Sequence, residues 1–382
     1  MYREAIEIAA ECGLFGGKHL DKIELDEEKK KGFQIASNLY FVKVITGNIE
    51  RSLIVKTQLS YRIVSEQEYR DSLFVNEVCF YSKLLPFLSK IDASAFNFFP
   101  KYYYGCATFG KNINKDAVIL EDLSSMGFKP SNQGRELDFD HIMLILQTLG
   151  KFHALSYKSK KAYPEVFRRL LSDLKNETES VEDFVETALY SAAMSYQGPQ
   201  KDVLKLRDTY CKDPLKSYQK SMIPKEPFAV LCHGDLCSNN MLFLYNKHGK
   251  PEVLKLVDLQ RCRYASPAID LSLFLLYNTT TGTKTHWDYF LRVYHESLRT
   301  AYTDVAVPSF SEFIVDFVEN IAYGISNCCY FFHVITLTLP KLNEYFLLEK
   351  EEKSKVIGTM GGEKAYKLIN EMFQLLLSKG YI

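Results

Sequence analysis

Residues 229–260 read AVLCHGDLCSNNMLFL, YNKHGKPE and VLKLVDLQ in succession. The middle block is polar and contains Gly249 and Pro251, while the runs on either side of it are apolar. Two apolar runs around a Gly/Pro turn predict an antiparallel hairpin. Such a pair brings its outer ends together, so Asn240, at the start of the first strand, and Asp258, at the end of the second, are expected within reach of one metal ion. Asp235 lies on the loop leading in, five residues before Asn240. Singly, these residues have plainer readings: Asp235 and Asn240 as turn caps, Asp258 as the end of a strand. Their order and spacing on one hairpin point instead to chemistry.

That chemistry is phosphoryl transfer. It needs a carboxylate to orient and deprotonate an acceptor hydroxyl, and oxygen ligands to hold Mg2+ against the phosphates of ATP. Asp235 suits the first role, as catalytic base, and Asn240 and Asp258 the second, as metal ligands. Protein kinases place their catalytic aspartate the same distance before a metal-binding asparagine. His233, two residues before Asp235, is read as a hydrogen-bonding strut rather than a proton shuttle. A phosphate-binding lysine is then expected on an earlier strand, paired with a glutamate from the following helix. Lys56, in SLIVKTQ, and Glu77, in LFVNEVCFY, have that order and those element types, though lysines on strands are commonly solvated. No Gly-x-Gly-x-x-Gly precedes them; KGFQIASNLY offers Gly32 for a tight turn and Ser37 to meet a phosphate.

Outward from these motifs, the first third reads as strands, a helix and more strands. FQIASNLYFVKVI and RSLIVKTQL are rich in β-branched and aromatic residues, with TGNIE as the turn between them. Residues 66–88 then predict a helix, with Leu73, Phe74, Val78, Tyr81, Leu84 and Leu85 at helical spacing. FPKYYYGCAT and DAVILEDL resume the strand pattern, and Glu121–Gly127 opens a connector. A lobe boundary is placed there, giving a nucleotide-binding lobe over 1–123 and a catalytic and acceptor-binding lobe over 124–382. From Asp138 on, Ile142, Ile145, Leu146, Leu149 and Phe152 share a helical face. His153 beside them reads as a satisfied core histidine rather than a catalytic one. Residues 160–225 are polar and weakly periodic, and a long helical tail dense in Tyr and Phe closes the chain. Its aromatic residues Tyr323, Tyr330, Phe331, Phe332 and Tyr345 suit a helical core or an apolar acceptor.

The totals agree with a globular chain of two packed lobes: 382 residues, 47% hydrophobic and 25% charged. Forty-seven basic residues balance forty-seven acidic ones, so no net field attracts nucleic acid or acidic lipid. Nine cysteines without a Cys-x-x-Cys pair argue against a disulfide framework or zinc site, and a reducing, cytoplasmic setting is expected. The N-terminus lacks the apolar core of a secretory signal. Residues 320–340 carry no charge yet hold six polar side chains from Asn320 to Thr338, and predict a buried helix rather than a membrane span. No obligate protein partner is evident.

The chain resembles the ecdysteroid kinase-like family of arthropods, also called CHK kinase-like, which is related to choline kinases and aminoglycoside phosphotransferases. The resemblance is carried by KGFQIASNLY, the Lys56 strand, NEVCFYSKLLP, VILEDLSSMGF, LGKFHALSY, LCHGDLCSNNMLF, LVDLQ and SPAIDLSLFL. It implies an α+β, two-lobed protein-kinase-like fold with a small β-rich lobe and a larger, mainly helical one. It also implies an ATP- and Mg2+-dependent kinase, with Asp235 as base, Asn240 and Asp258 as magnesium ligands, and Lys56 on the ATP phosphates. Leu120–Leu123, with Glu121 and Leu123, resembles the hinge that meets adenine, and Asp270 matches a brace of the catalytic loop. Two positions depart from the family's habit, Cys237 in place of tryptophan and Leu259 in place of phenylalanine; neither removes a ligand, though Cys237 borders the catalytic loop. The implied acceptor is a hydroxyl of an ecdysteroid or similar apolar molecule. Alternatives are choline, ethanolamine or an amino sugar, or, in a different class, a pseudokinase that binds without catalysis.

Overall fold

The computed structural model describes residues 2–29, 37–58, 64–175, 182–210, 212–278 and 283–382. In chain order it contains α1 (Tyr2–Glu11), β1 (Lys22–Leu25), β2 (Ser37–Thr46), β3 (Ile49–Gln58), α2 (Val64–Cys79), α3 (Leu85–Ile91), β4 (Tyr102–Cys106) and β5 (Ala117–Glu121). Then come α4 (Phe139–Ala162), α5 (Pro164–Leu171), α6 (Glu182–Ser195), α7 (Gln200–Tyr210), α8 (Pro214–Ser221), β6 (Val230–Cys232), β7 (Met241–Tyr245), β8 (Pro251–Leu256) and β9 (Arg263–Ala265). The rest is helical: α9 (Ala268–Asn278), α10 (Trp287–Thr300), α11 (Phe310–Asn320), α12 (Ala322–Ile335), α13 (Leu339–Leu347), α14 (Lys350–Val356) and α15 (Gly362–Ser378). The class is the expected α+β. The chain forms two compact units, one of residues 1–132, 155–177 and 238–263, the other of 133–154, 178–237 and 264–382.

The first unit is built on a five-stranded antiparallel sheet in the order β1-β2-β3-β5-β4. Its central hairpin has Thr46 opposite Ile49, and Gly47, at φ +59°, opens the two-residue turn in a conformation that favours glycine. Strand alternation gives β3 two different faces. Leu53 and Val55 enter a core with Ala5, Ile6, Ala9 and Ala10 of α1 and Val42, Val44 and Ile119 of the sheet. Lys56 points the other way, toward α2. The helix expected over 66–88 is interrupted by a π-helical turn, Phe80–Leu84, before α3 begins. Pro86 falls in the first turn of α3, where its missing N–H costs no hydrogen bond. Residues 30–36, including Gly32, lie outside the described residues. The same unit contains the β7–β8 hairpin, with Met241 opposite Leu256.

The second unit is mainly helical. Every residue of α9 is buried, including Asp270, Ser272 and Asn278. Alongside it runs α12, at a separation that leaves no room for a side chain at Gly324: a Cβ there would stand 2.4 Å from the Ser272 backbone carbon. Helix α10 buries Trp287, Phe290, Leu291, Tyr294 and Leu298 at helical spacing. A capping box of Ser309 and Glu312 fixes the start of α11. The uncharged stretch 320–340 is not one helix: α11 ends at Asn320, α12 covers Ala322–Ile335, and α13 begins at Leu339. Among the described residues, no helix is long and apolar enough to cross a membrane.

Candidate active site

In the first unit the hairpin register determines where Asn240 and Asp258 stand. With Met241 paired to Leu256, Asn240 comes opposite Val257, whose N–H donates to the Asn240 carbonyl at 3.0 Å. Asp258 is the next residue, at the same end of the hairpin. Its backbone has φ +67° and ψ +65°, a left-handed conformation that is costly for a residue with a Cβ. It caps the helical turn Leu259–Arg261 at the point where the strand stops. Strain of this kind persists where surrounding contacts over-determine it, and it clusters at functional sites.

Those contacts are ionic. The Lys56 ammonium lies 2.6 Å from an Asp258 oxygen and 2.6 Å from a Glu77 oxygen. Lys56 is 6% exposed and Glu77 1%, so this strand lysine, unlike most, is almost dry. Burial alone would lower the lysine's pKa, but Asp258 and Glu77 more than reverse this and raise it. Burial, reinforced by the Asp258 charge, raises Glu77 against the pull of Lys56. The Gln260 amide donates to the second Asp258 oxygen at 3.2 Å. Two further ties hold α2 in place: the Gln58 amide to Asp71, and a reciprocal pair between the Asn76 side chain and the Lys175 backbone at 3.0 and 2.7 Å.

The other sequence-predicted residues of this unit lie on β2, at the end of β5 and just after it. Ser37 begins β2, buried, opposite Gln58. Glu121 ends β5 opposite Leu53, with its N–H on the Lys101 carbonyl at 2.8 Å. Leu123 is buried at the start of the turn that Asp122 caps, and Lys29 reaches Asp122 and Ser124 at 2.8 and 2.9 Å.

Asp235 belongs to the second unit, on the loop after β6. The loop is held by Asp270, the third residue of α9. Asp270 accepts from the N–H groups of His233 and Gly234, both at 2.7 Å. His153 Nε2 is its third partner, at 3.1 Å. Burial works against this anion, but the His153 bond, the neighbouring imidazoles and the Gly234 N–H hold its pKa below the usual value. Gly234, at φ +83°, adopts a left-handed turn that favours glycine, and its carbonyl accepts from the Tyr323 hydroxyl at 2.6 Å. Tyr218 stacks on Tyr323 at 5.3 Å between ring centroids. The Asp235 N–H meets His233 Nδ1 at 3.3 Å, which makes His233 a strut of the turn. Sequence reading placed Tyr323 only among the tail aromatics and missed its bond to this loop, 89 residues away, because one tyrosine in an aromatic-rich helix carries no distinguishing pattern.

Asn240 and Asp258 supply one amide and one carboxylate, the hard oxygen donors that Mg2+ takes while keeping sites for water and phosphate. They fit that ion, and the buried cation beside them fits a polyphosphate.

The profile of the ecdysteroid kinase-like family matches residues 32–307. No curated protein sequence matches the chain. Among solved structures, the chain is similar to a Plasmodium vivax ethanolamine kinase, at 12% identity over 95% of this chain and 84% of that one, with a TM-score of 0.46. It is similar to APH(2")-IIia in complex with GDP and kanamycin at 13% identity over 96% and 97%, with a TM-score of 0.45. A macrolide 2'-phosphotransferase from Brachybacterium faecium aligns at 11% identity over 96% and 98%, with a TM-score of 0.41.

Proposed function

The chain belongs to the ecdysteroid kinase-like family, and on that premise we propose that it transfers the γ-phosphate of ATP to a hydroxyl of a small molecule, with hydroxylated steroids as the first acceptor class. The observation that carries this reading is Lys56, buried between Glu77 and Asp258 at 2.6 Å from each. An ammonium fixed on two carboxylates by a strand and a helix is oriented before any ligand arrives, which is how phosphoryl transfer is catalysed: by positioning and charge rather than by covalent chemistry.

In this mechanism Lys56 binds the α- and β-phosphates, and Glu77 keeps its ammonium aimed. Asn240 and Asp258 would hold Mg2+, which neutralises phosphate charge when bound. Glu121 and Leu123 are assigned to the adenine side, and Gly32 and Ser37 to the phosphate side. Asp235 orients the acceptor hydroxyl and takes its proton. The acceptor oxygen then bonds to the γ-phosphorus, the bond to the β–γ bridging oxygen breaks, and ADP departs with that electron pair.

The test is ATP consumption across hydroxylated steroids, plant phenolics and choline-like amines, with Asp235→Asn as control. Loss of a general base is expected to cut turnover by about 100- to 10,000-fold while leaving nucleotide binding intact. Undiminished turnover by Asp235→Asn would remove the assignment, and a preference for cationic amines would move the acceptor to the choline-like class.

A further inference from the structure

We infer that His153 is a positioning residue for Asp235, acting through Asp270 and itself set by Tyr294; the inference rests on the kinase reading above for its catalytic consequence, though not for its structural one. His153 and Asp270 are both wholly buried, at 0% exposure. Each ring nitrogen of His153 has a partner: Nε2 meets Asp270 at 3.1 Å and Nδ1 meets the Tyr294 hydroxyl at 2.8 Å. Asp270 is an anion with no donor of its own, so the hydrogen on Nε2 belongs to His153. Nδ1, on the other side of the ring, is engaged by the Tyr294 hydroxyl. The contacts form one line: the Tyr294 hydroxyl on His153, His153 donating to Asp270, and the His233 and Gly234 N–H groups donating to Asp270 from the other side.

The geometry makes the relay more than packing. One Asp270 oxygen is shared by His153 and the His233 N–H, while the other takes the Gly234 N–H. The carboxylate can span both amides only if it is held in one rotation, and His153 is the side chain that holds it. At the next peptide, between Gly234 and Asp235, Tyr323 holds the Gly234 carbonyl. Asp235 is the next residue, so the direction in which its side chain leaves the backbone follows from this clamp. Gly150 serves the same arrangement: a Cβ there would stand 2.8 Å from the Tyr294 carbonyl and 2.6 Å from the Ser297 Cβ, so only glycine lets α4 and α10 approach closely enough for Tyr294 to reach His153.

A buried metal is the competing explanation, because ligand atoms of His153, Cys232 and Asp270 lie within 4.8 Å of one another. Each of these groups already has hydrogen-bond partners. The Cys232 sulfur meets the Ser266 carbonyl at 3.3 Å, with the Ala265 carbonyl at 3.7 Å. Asp270 has its three donors, and the two His153 nitrogens are both engaged.

The test compares His153→Leu, His153→Gln and Tyr294→Phe with wild type by two readouts: hydrolysis of MgATP with water as acceptor, and hydrogen exchange at the His233 and Gly234 amides. The Gln side chain can place an amide N–H where Nε2 stood; Leu cannot. His153→Leu is expected to lower kcat by about 100-fold with KM for MgATP unchanged, the mark of a misplaced group that acts in the transition state. His153→Gln should recover much of that loss, and Tyr294→Phe should fall between the two. Exchange at the His233 and Gly234 amides should rise by about tenfold in His153→Leu while the rest of α4 and α9 keeps its protection. Equal losses in the Leu and Gln variants, or exchange that rises uniformly along α4 and α9, overturns the inference. Should His153→Leu fail to fold, the Gln and Phe variants decide by the same local exchange. ATP hydrolysis insensitive to Asp235→Asn would defeat the kinase reading instead, and the exchange result would still judge the clamp.

Discussion

Replacing Lys56 with methionine removes the charge while keeping the length of the side chain, and its cost can be worked from the cluster. Glu77 is left 1% exposed with no cation, facing the Asp258 carboxylate. Breaking a buried ion pair from one side costs about 3–5 kcal/mol. Asp258 retains 29% side-chain exposure and can rehydrate, so the lower end applies, about 3 kcal/mol. Urea unfolding measures it: at a slope of about 2 kcal/mol per molar, the midpoint should fall by about 1.5 M. The decisive variant is the double one, Lys56→Met with Glu77→Gln. Neutralising the stranded carboxyl should recover about 2 kcal/mol, a coupling in the range expected of contacting residues. A Lys56→Met midpoint within error of wild type, or a double variant no better than the single, would refute the claim that the lysine is fixed by these two carboxylates.

Two further expectations concern the helical unit. His333 is wholly buried, its Nδ1 accepts from the Gly361 N–H at 3.2 Å, and burial pushes its pKa from 6.5 down to about 4. The unfolded chain therefore binds a proton that the folded one refuses, so stability should fall as pH drops from 6.5 to 4, by about 2–3 kcal/mol. His333→Asn, which keeps an acceptor for Gly361, should flatten that part of the profile, and an unchanged slope would contradict the assignment. Gly324→Ala places a methyl 2.4 Å from the Ser272 backbone, and at about 2 kcal/mol it should lower the melting temperature of the helical unit by several degrees; an unchanged melting temperature would show that α9 and α12 separate freely.

Much of this was legible because it depends on short-range pattern. Alternation in SLIVKTQ puts Lys56 on the face opposite Val55, and periodicity in 66–88 puts Glu77 on a helix, so their meeting needs only that the helix pack on that face. The β7–β8 hairpin was readable from two apolar runs and a turn, and it fixes Asn240 and Asp258 by register alone. What was not legible depends on partners far along the chain. His153 meets Tyr294 across 141 residues, and the pattern around His153 is only that of an apolar helical face. The weak periodicity of 160–225 has a local cause: α6 turns Ala188, Leu189, Ala192 and Ala193 inward, and alanines leave little trace of a hydrophobic stripe. The stretch 320–340 shows the converse. Absence of charge does not determine continuity, and the chain divides there between α11 and α12, with the Asn320 amide bonded back to Asp316.

The most direct measurement of the central claim is calorimetric titration of ATP with and without Mg2+ into wild type, Asp235→Asn and Asp258→Asn. If Asn240 and Asp258 form the metal end of a nucleotide site and Asp235 acts only on the acceptor, wild type and Asp235→Asn bind ATP with similar affinity and only with Mg2+, while Asp258→Asn loses that metal-dependent binding. Binding that ignores Mg2+, or that survives in Asp258→Asn, would contradict it.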